Sequence, residues 1–198
     1  MLKSVSDIEA MLAAAGRGAG MTDPAADYLA AAVGWLAARD LDGVAAAVTA
    51  LQPRPAPHRS DSAETVRFSP APILHTAGVA LNALSDAARS GRTLELVDVD
   101  APLLLLGYAG VAASRLGRGL ALRSRAFNAM IAPDGTHYVS GPYVLVLDPI
   151  RIEYWTPEPW LSPVRIVTET EVDPLDWLRA SRLAGLAEDM APPDGPRH

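Results

Sequence analysis

The chain contains no cysteine, so disulfides, cysteine metal sites and thiol catalysis are all excluded, and the composition suits a reducing cytoplasm. It also has no run of lysine or arginine. With a formal charge of −6 and a pI of about 5.1, the molecule as a whole repels nucleic acid and anionic lipid. Neither is therefore expected as a partner. Asp7 and Glu9 fall where a signal peptide needs its apolar stretch, which argues against export. The longest apolar run, APLLLLGYAGVAAS at 101–114, is shorter than the roughly 20 residues of a membrane span. It reads as a buried strand pair or core segment, and membrane insertion is not expected.

The 198 residues, 49% hydrophobic and 20% charged, are enough for one domain with its own core or a domain with a small appendage. Three helices are expected at the start. Ser6 and Glu9 are spaced as a capping box, and Ile8, Met11, Leu12 and Ala15 recur at helical period, which predicts a helix over 7–15. Thr22 or Asp23, with Pro24 at a first-turn position, opens a second helix striped by Tyr28, Ala32, Trp35 and Leu36. A third runs over about 40–51. Pro53, Pro55 and Pro57 remove three backbone donors in quick succession, so 53–63 reads as an exposed linker without regular structure. A further helix is expected on Leu74, Ala77, Leu81 and Leu84, stopped by Gly91.

From Thr93 the period becomes two. TLELVDVD alternates cleanly, and LALRSRAFNAMI and THYVSGPYVLVL flank a Pro-Asp-Gly turn, so 118–147 is expected as one hairpin turning at Asp134-Gly135. PIRIEYW and VRIVTETEV are further strands, and Asp173-Pro174 opens a last helix. Helices first and strands after them predict an α+β fold: an N-terminal helical segment on or beside a mostly antiparallel sheet, with a C-terminal helix. The divisions read as 1–52 helical, 53–63 linker, 64–189 sheet domain and 190–198 a loose tail, or one compact domain overall.

AGRGAG at 15–20 follows a helix, not a strand, and lacks the Lys-Ser/Thr of a P-loop, so neither glycine-rich nucleotide motif applies. It reads first as a helix-ending turn in which Gly16 or Gly18 takes a positive φ. The second reading is an anion site built from Arg17, Gly18, Gly20 and the free amides of the following helix. DIEAMLAAAGRGAGM followed by AAVGWLAARDLDGVAAAV resembles the opening of a bacterial family, domain of unknown function 3726, most clearly over residues 5–48; ASRLAGLAED resembles its closing segment more loosely. Thr22-Asp23 stands where the family pattern has an aromatic–glycine pair. The resemblance implies a bacterial cytosolic protein and supplies no catalytic residue, cofactor or activity.

The chemistry-bearing residues leave several functions open. No two of His58, His75, His137 and His198 have the i, i+4 spacing of a helical metal site, and no metal is expected. His75 and His137 are the candidates for a general base, each in need of a nearby carboxylate. Asp98 and Asp100 are expected on one strand face, as a carboxylate pair or a solvated strand end. Arg123 and Arg125 are likewise expected on one face, opposite Leu120, Leu122 and Ala126, either clamping an anion or paired with acids on a neighbouring strand. The serines lack the flanking glycines of a nucleophile elbow. WTPEPW at 155–160 reads as a pocket wall or subunit contact. Three functions follow: a non-catalytic binder of a small anionic metabolite using Arg17, Arg123 and Arg125; a small metabolic enzyme using His75 or His137; or a homo-oligomeric interaction or accessory subunit.

Overall fold

The computed structural model describes residues 1–141, 148–156 and 166–190. Over these the chain is α+β, with six helices and two sheets among the described residues. A short strand β1 (Leu2–Ser4) leads into α1 (Val5–Gly18), α2 (Asp23–Ala37) and α3 (Gly43–Ala50). The cap of α1 lies two residues earlier than the sequence suggests. The Ser4 hydroxyl accepts from the Asp7 amide at 3.1 Å and donates to the Asp7 carboxylate at 2.7 Å, so Ser4 and Asp7 do the work expected of Ser6 and Glu9. The helix also runs past Ala15 to Gly18. Asp42 caps α3 by accepting from the Ala45 amide at 3.2 Å. Helix α1 packs against α2 and against α6 (Pro174–Met190). Strand β1 holds α6 there by pairing antiparallel with β9 (Glu169–Glu171).

The larger sheet begins where a linker was expected. Residues 53–58 have no regular structure, but Arg59–Asp61 form β2, an exposed edge strand paired antiparallel with β3 (Thr65–Phe68). Helix α4 (Ile73–Arg89) crosses to β4 (Thr93–Leu96), which lies parallel to β3 because a crossover helix separates them. Next comes the apolar run at 102–116, which is neither a strand nor a strand pair. It is the helix α5 (Pro102–Leu116), opened by Pro102 and closed by Gly117 at φ 61°. Leu104, Leu105 and Leu106 are all fully buried, so the helix is apolar all round and gives no periodic signal. The core-segment reading of this run holds; the strand-pair reading does not.

Strands β5 (Gly119–Arg123), β6 (Asn128–Ile131), β7 (His137–Ser140) and β8 (Ile150–Trp155) complete the sheet in the order β2-β3-β4-β8-β5-β6-β7. The turn at Asp134-Gly135 joins β6 to β7, with Gly135 at φ 85° and the Asp134 side chain accepting from the Thr136 amide. The expected single hairpin is nevertheless two hairpins. LALRSRAFNAMI breaks at Ser124, whose hydroxyl accepts from the Phe127 amide at 3.0 Å and whose own amide donates to the Phe127 carbonyl at 2.8 Å. Residues 142–147, 157–165 and the tail 191–198 lie outside the described residues, and with them the end of THYVSGPYVLVL, the start of VRIVTETEV, most of WTPEPW, and His198.

One face of the sheet carries Val66, Phe68, Leu94, Leu96, Leu120, Leu122, Ile150 and Ile152, all buried under α4 and α5. The buried residues form a continuous cluster from Ile8 to Ala180. No helix among the described residues is long and apolar enough to cross a membrane.

Candidate functional site

Because side chains alternate along a strand, burying one set aims the other at the opposite face. Cross-strand register then lines up Arg67 with Glu95, Glu95 with Arg151, and Arg151 with Arg123, a charged row across β3, β4, β8 and β5. Glu95 is 5% exposed, although it lies on the face away from the helices. Its two oxygens are taken by Arg67 Nη2 at 2.8 Å and Arg151 Nε at 3.1 Å. Burial pushes the Glu95 carboxyl up, but the hydrogen bonds from Arg67 and Arg151 outweigh this and hold it below the usual range. Arg123 and Arg151, like charges directly opposite one another, are kept apart by separate partners: Arg123 pairs with Glu153 and Arg151 with Glu95.

Beyond this row the Ser124–Phe127 turn and the entry to β8 raise a wall. Together they line an open cleft of about 580 Å³, whose lining includes the four arginines Arg67, Arg123, Arg125 and Arg151. Glu95, Asp148 and Glu153 contribute three carboxylates, and no histidine lines it. The turn that presents Arg125 is held from both sides. Phe127 is fully buried beneath it, and the backbone of Gly141 lies so close to the Ala126 carbonyl that an added Cβ would overlap it.

The structure brings Arg123 and Arg125 together, but not as neighbours on one strand face. Strand β5 ends at Arg123, and Arg125 sits in the turn beyond. Arg17, Gly18 and Gly20 lie apart from the cleft. Arg17 reaches from α1 to Asp27 at 3.4 Å and Asp23 at 3.9 Å on α2. The positive φ of AGRGAG belongs to Gly20, at 84°, and not to Gly16 or Gly18, which are helical. Gly16 is needed for contact instead, since a Cβ there would lie 3.1 Å from that of Ala26. Asp98 and Asp100 do not share a strand face. Strand β4 stops at Leu96, Asp98 takes φ 56°, and Asp100 turns back to accept from the Ile73 amide at 2.9 Å. His75 is exposed on α4, and neither it nor His137 pairs with a carboxylate among the described residues.

Sequence reasoning missed Arg67, Glu95, Arg151 and Glu153. Each is a charged residue between apolar neighbours in a short alternating strand (VRF, LEL and IRIEY), and that is the signal that marks them.

His137 has a different setting. Its ring stands 5.2 Å from that of Trp35, over which the Arg39 guanidinium lies at 3.8 Å. Arg39 donates to the Gly135 carbonyl at 3.2 Å and the Trp35 carbonyl at 2.9 Å, which ties α2 to the β6–β7 turn. Burial lowers Arg39 to about 10, against the attraction of Asp134, and it remains charged at neutral pH. Burial likewise lowers His137, and Arg39 adds to this, while the Gly135 carbonyl opposes it. The folded state thus binds fewer protons here than the unfolded state. The His137 contribution is complete above about pH 6.5, the ordinary histidine value, and is lost as pH falls below it. Melting temperature is expected to fall between pH 8 and 5.5 more steeply in the wild type than in His137→Gln. Equal slopes would remove His137 as the cause.

The fold is thus an α+β domain whose sheet is helix-covered on one face and charged on the other. Residues 3–90 match the family described as a protein of unknown function (DUF3726), the family that the N-terminal motifs resemble. The match includes Arg67 and stops short of Glu95, Arg123, Arg125 and Arg151. No curated protein matches the chain. Among solved structures, the malate dehydrogenase from Entamoeba histolytica is similar with a TM-score of 0.50 at 12% identity, over 71% of this chain and 50% of that one. The chain spans half that enzyme's length, and the likeness shows a shared fold.

Proposed function

We propose that this is a cytosolic protein that binds a small anionic metabolite, without catalysis, in the cleft on the charged face of the sheet. The observation that carries the reading is the convergence of four arginines on one cleft in a chain of net charge −6. Arg67 and Arg151 are fixed by Glu95, and Arg123 by Glu153. Arg125 forms no ion pair among the described residues and is exposed, so its guanidinium is available for a carboxylate or phosphate. The cleft is of a size suited to a small metabolite. Arg17 is a separate element with its own carboxylates and takes no part in this cleft.

Calorimetric titration with phosphate, succinate and citrate tests the reading. At least one of them is expected to bind the wild type. Arg125→Gln should weaken it about tenfold or more, since a hydrogen bond to a charged group contributes about 1.5–3 kcal/mol. Arg17→Gln should leave binding unchanged. Absence of binding by all three anions, or full affinity in Arg125→Gln, would refute the assignment.

A further inference from the structure

The cleft is not simply cationic. Its paired charges cancel only in part: Glu153 neutralises Arg123, whereas Glu95 is shared by Arg67 and Arg151 and leaves one positive charge on that trio. Two lining residues stand outside these pairs. Arg125 projects from the Ser124–Phe127 turn, and Asp148 lies just ahead of β8. Neither forms an ion pair among the described residues, and they do not pair with each other. A lone cation and a lone anion in one cleft would each be solvated in the empty protein. A ligand that carried only negative charge would satisfy Arg125 and leave Asp148 as a repulsive neighbour. A ligand bearing both charges satisfies both.

We propose, building on the anion-binding reading, that the cleft takes a zwitterionic metabolite of the amino-acid class, with its carboxylate on Arg125 and its ammonium on Asp148. Arg125 supplies the planar fork that matches a carboxylate. Asp148 accepts hydrogen bonds from the ammonium, whose three donors have no other unpaired carboxylate among the lining residues. The Arg67–Glu95–Arg151 row lines the same cleft, and its one net positive charge favours the carboxylate of the ligand, which leaves Asp148 as the group that selects the ammonium.

The test uses the full chain and three matched series in calorimetry: straight ω-amino acids of increasing length, the carboxylic acids without the amine, and the amines without the acid. At the length that spans the two groups, the amino acid is expected to bind at least tenfold more tightly than the carboxylate of equal length. Asp148→Asn should erase that preference, weakening the amino acid while carboxylates bind as tightly as before or more tightly. Asp148→Lys should turn the preference toward dicarboxylates. Arg125→Gln should weaken amino acids and carboxylates alike. If carboxylates bind as tightly as amino acids at every length, the zwitterion assignment is overturned while the anion site stands. If no carboxylate, phosphate or amino acid binds, the anion reading falls with it. Asp148 forms no ion pair or hydrogen bond among the described residues, so its variants are expected to melt as the wild type does.

Discussion

Phe127→Ala is expected to lose about 3–5 kcal/mol of stability and, in the same variant, to weaken anion binding in the cleft. The residue ranks first by size among the fully buried side chains and has no exposed surface. Truncating it removes an aromatic ring from a core that cannot collapse to fill the gap, because the strand pairs on either side of the turn fix its walls. The consequence for binding follows from position. The Ser124 hydroxyl and the backbone of Ser124 and Phe127 close the turn on themselves, so the turn should survive as a local shape. What the ring supplies is the anchorage of that shape to the sheet, and hence the aim of Arg125. Urea denaturation and phosphate titration of Phe127→Ala and Phe127→Leu measure the two effects. The leucine variant keeps most of the buried volume and should lose less than about 1.5 kcal/mol while binding nearly as the wild type. A loss below about 1 kcal/mol in Phe127→Ala would show that the turn is held by its hydrogen bonds alone.

The helical half of this molecule was legible because its signals are local. The Ser6–Glu9 spacing, Pro24 and the apolar stripes place α1 to α3 within a few residues of where they fold, although the caps Ser4 and Asp42 emerge only in the structure. Two errors share one cause: a signal that depends on surroundings not written in the segment itself. The run at 101–114 is uniformly apolar because α5 is enclosed by α2, α3, α4 and the sheet, so periodicity could not distinguish helix from strand. LALRSRAFNAMI reads as one period-two run, yet its buried set shifts from the even positions Leu120 and Leu122 to the odd positions Phe127, Ala129 and Ile131, and Ser124 closes a turn at the shift. The site was half legible for a similar reason. Arg123 and Arg125 are two positions apart in the chain, and the sequence shows them together. Arg67 meets Glu95 across 28 positions and Arg151 meets Glu95 across 56, and only the strand order β3-β4-β8-β5 makes them neighbours. AGRGAG drew attention because glycine is conspicuous in sequence. The structure divides its glycines between a turn at Gly20 and helix contact at Gly16, while the charges gather elsewhere.

Other glycines set how closely α2 and α5 approach, and their replacement is expected to separate two opposing effects. Alanine in a helix interior is better than glycine by about 0.8–1.0 kcal/mol, so on propensity alone every helical Gly→Ala change should stabilise. Gly78 on α4 has nothing within 4 Å of an added Cβ, and Gly78→Ala is expected to gain about 0.5–1 kcal/mol. Gly107 and Gly110 lie one turn apart on α5 and face α2. A Cβ at Gly107 would fall 2.5 Å from the Ala32 carbonyl oxygen, and one at Gly110 would overlap the Trp35 ring. A backbone carbonyl cannot rotate aside, and Trp35 is held between Arg39 and His137, so relief requires the helices to part. Overpacking of this kind costs about 1–3 kcal/mol per site and outweighs the propensity gain. Each single variant should therefore be destabilised, and Gly107→Ala/Gly110→Ala by about 2–4 kcal/mol, with some non-additivity because the two share one contact. The effect also reaches His137 at the β6–β7 turn. Parting α5 from α2 shifts Trp35, and with it the ring against which His137 is buried. In Gly110→Ala the His137 titration, followed by NMR, should move up toward the ordinary histidine value. Stabilisation of Gly107→Ala and Gly110→Ala to the same extent as Gly78→Ala would show that α2 and α5 have slack between them, and the close approach read at these two glycines would be wrong.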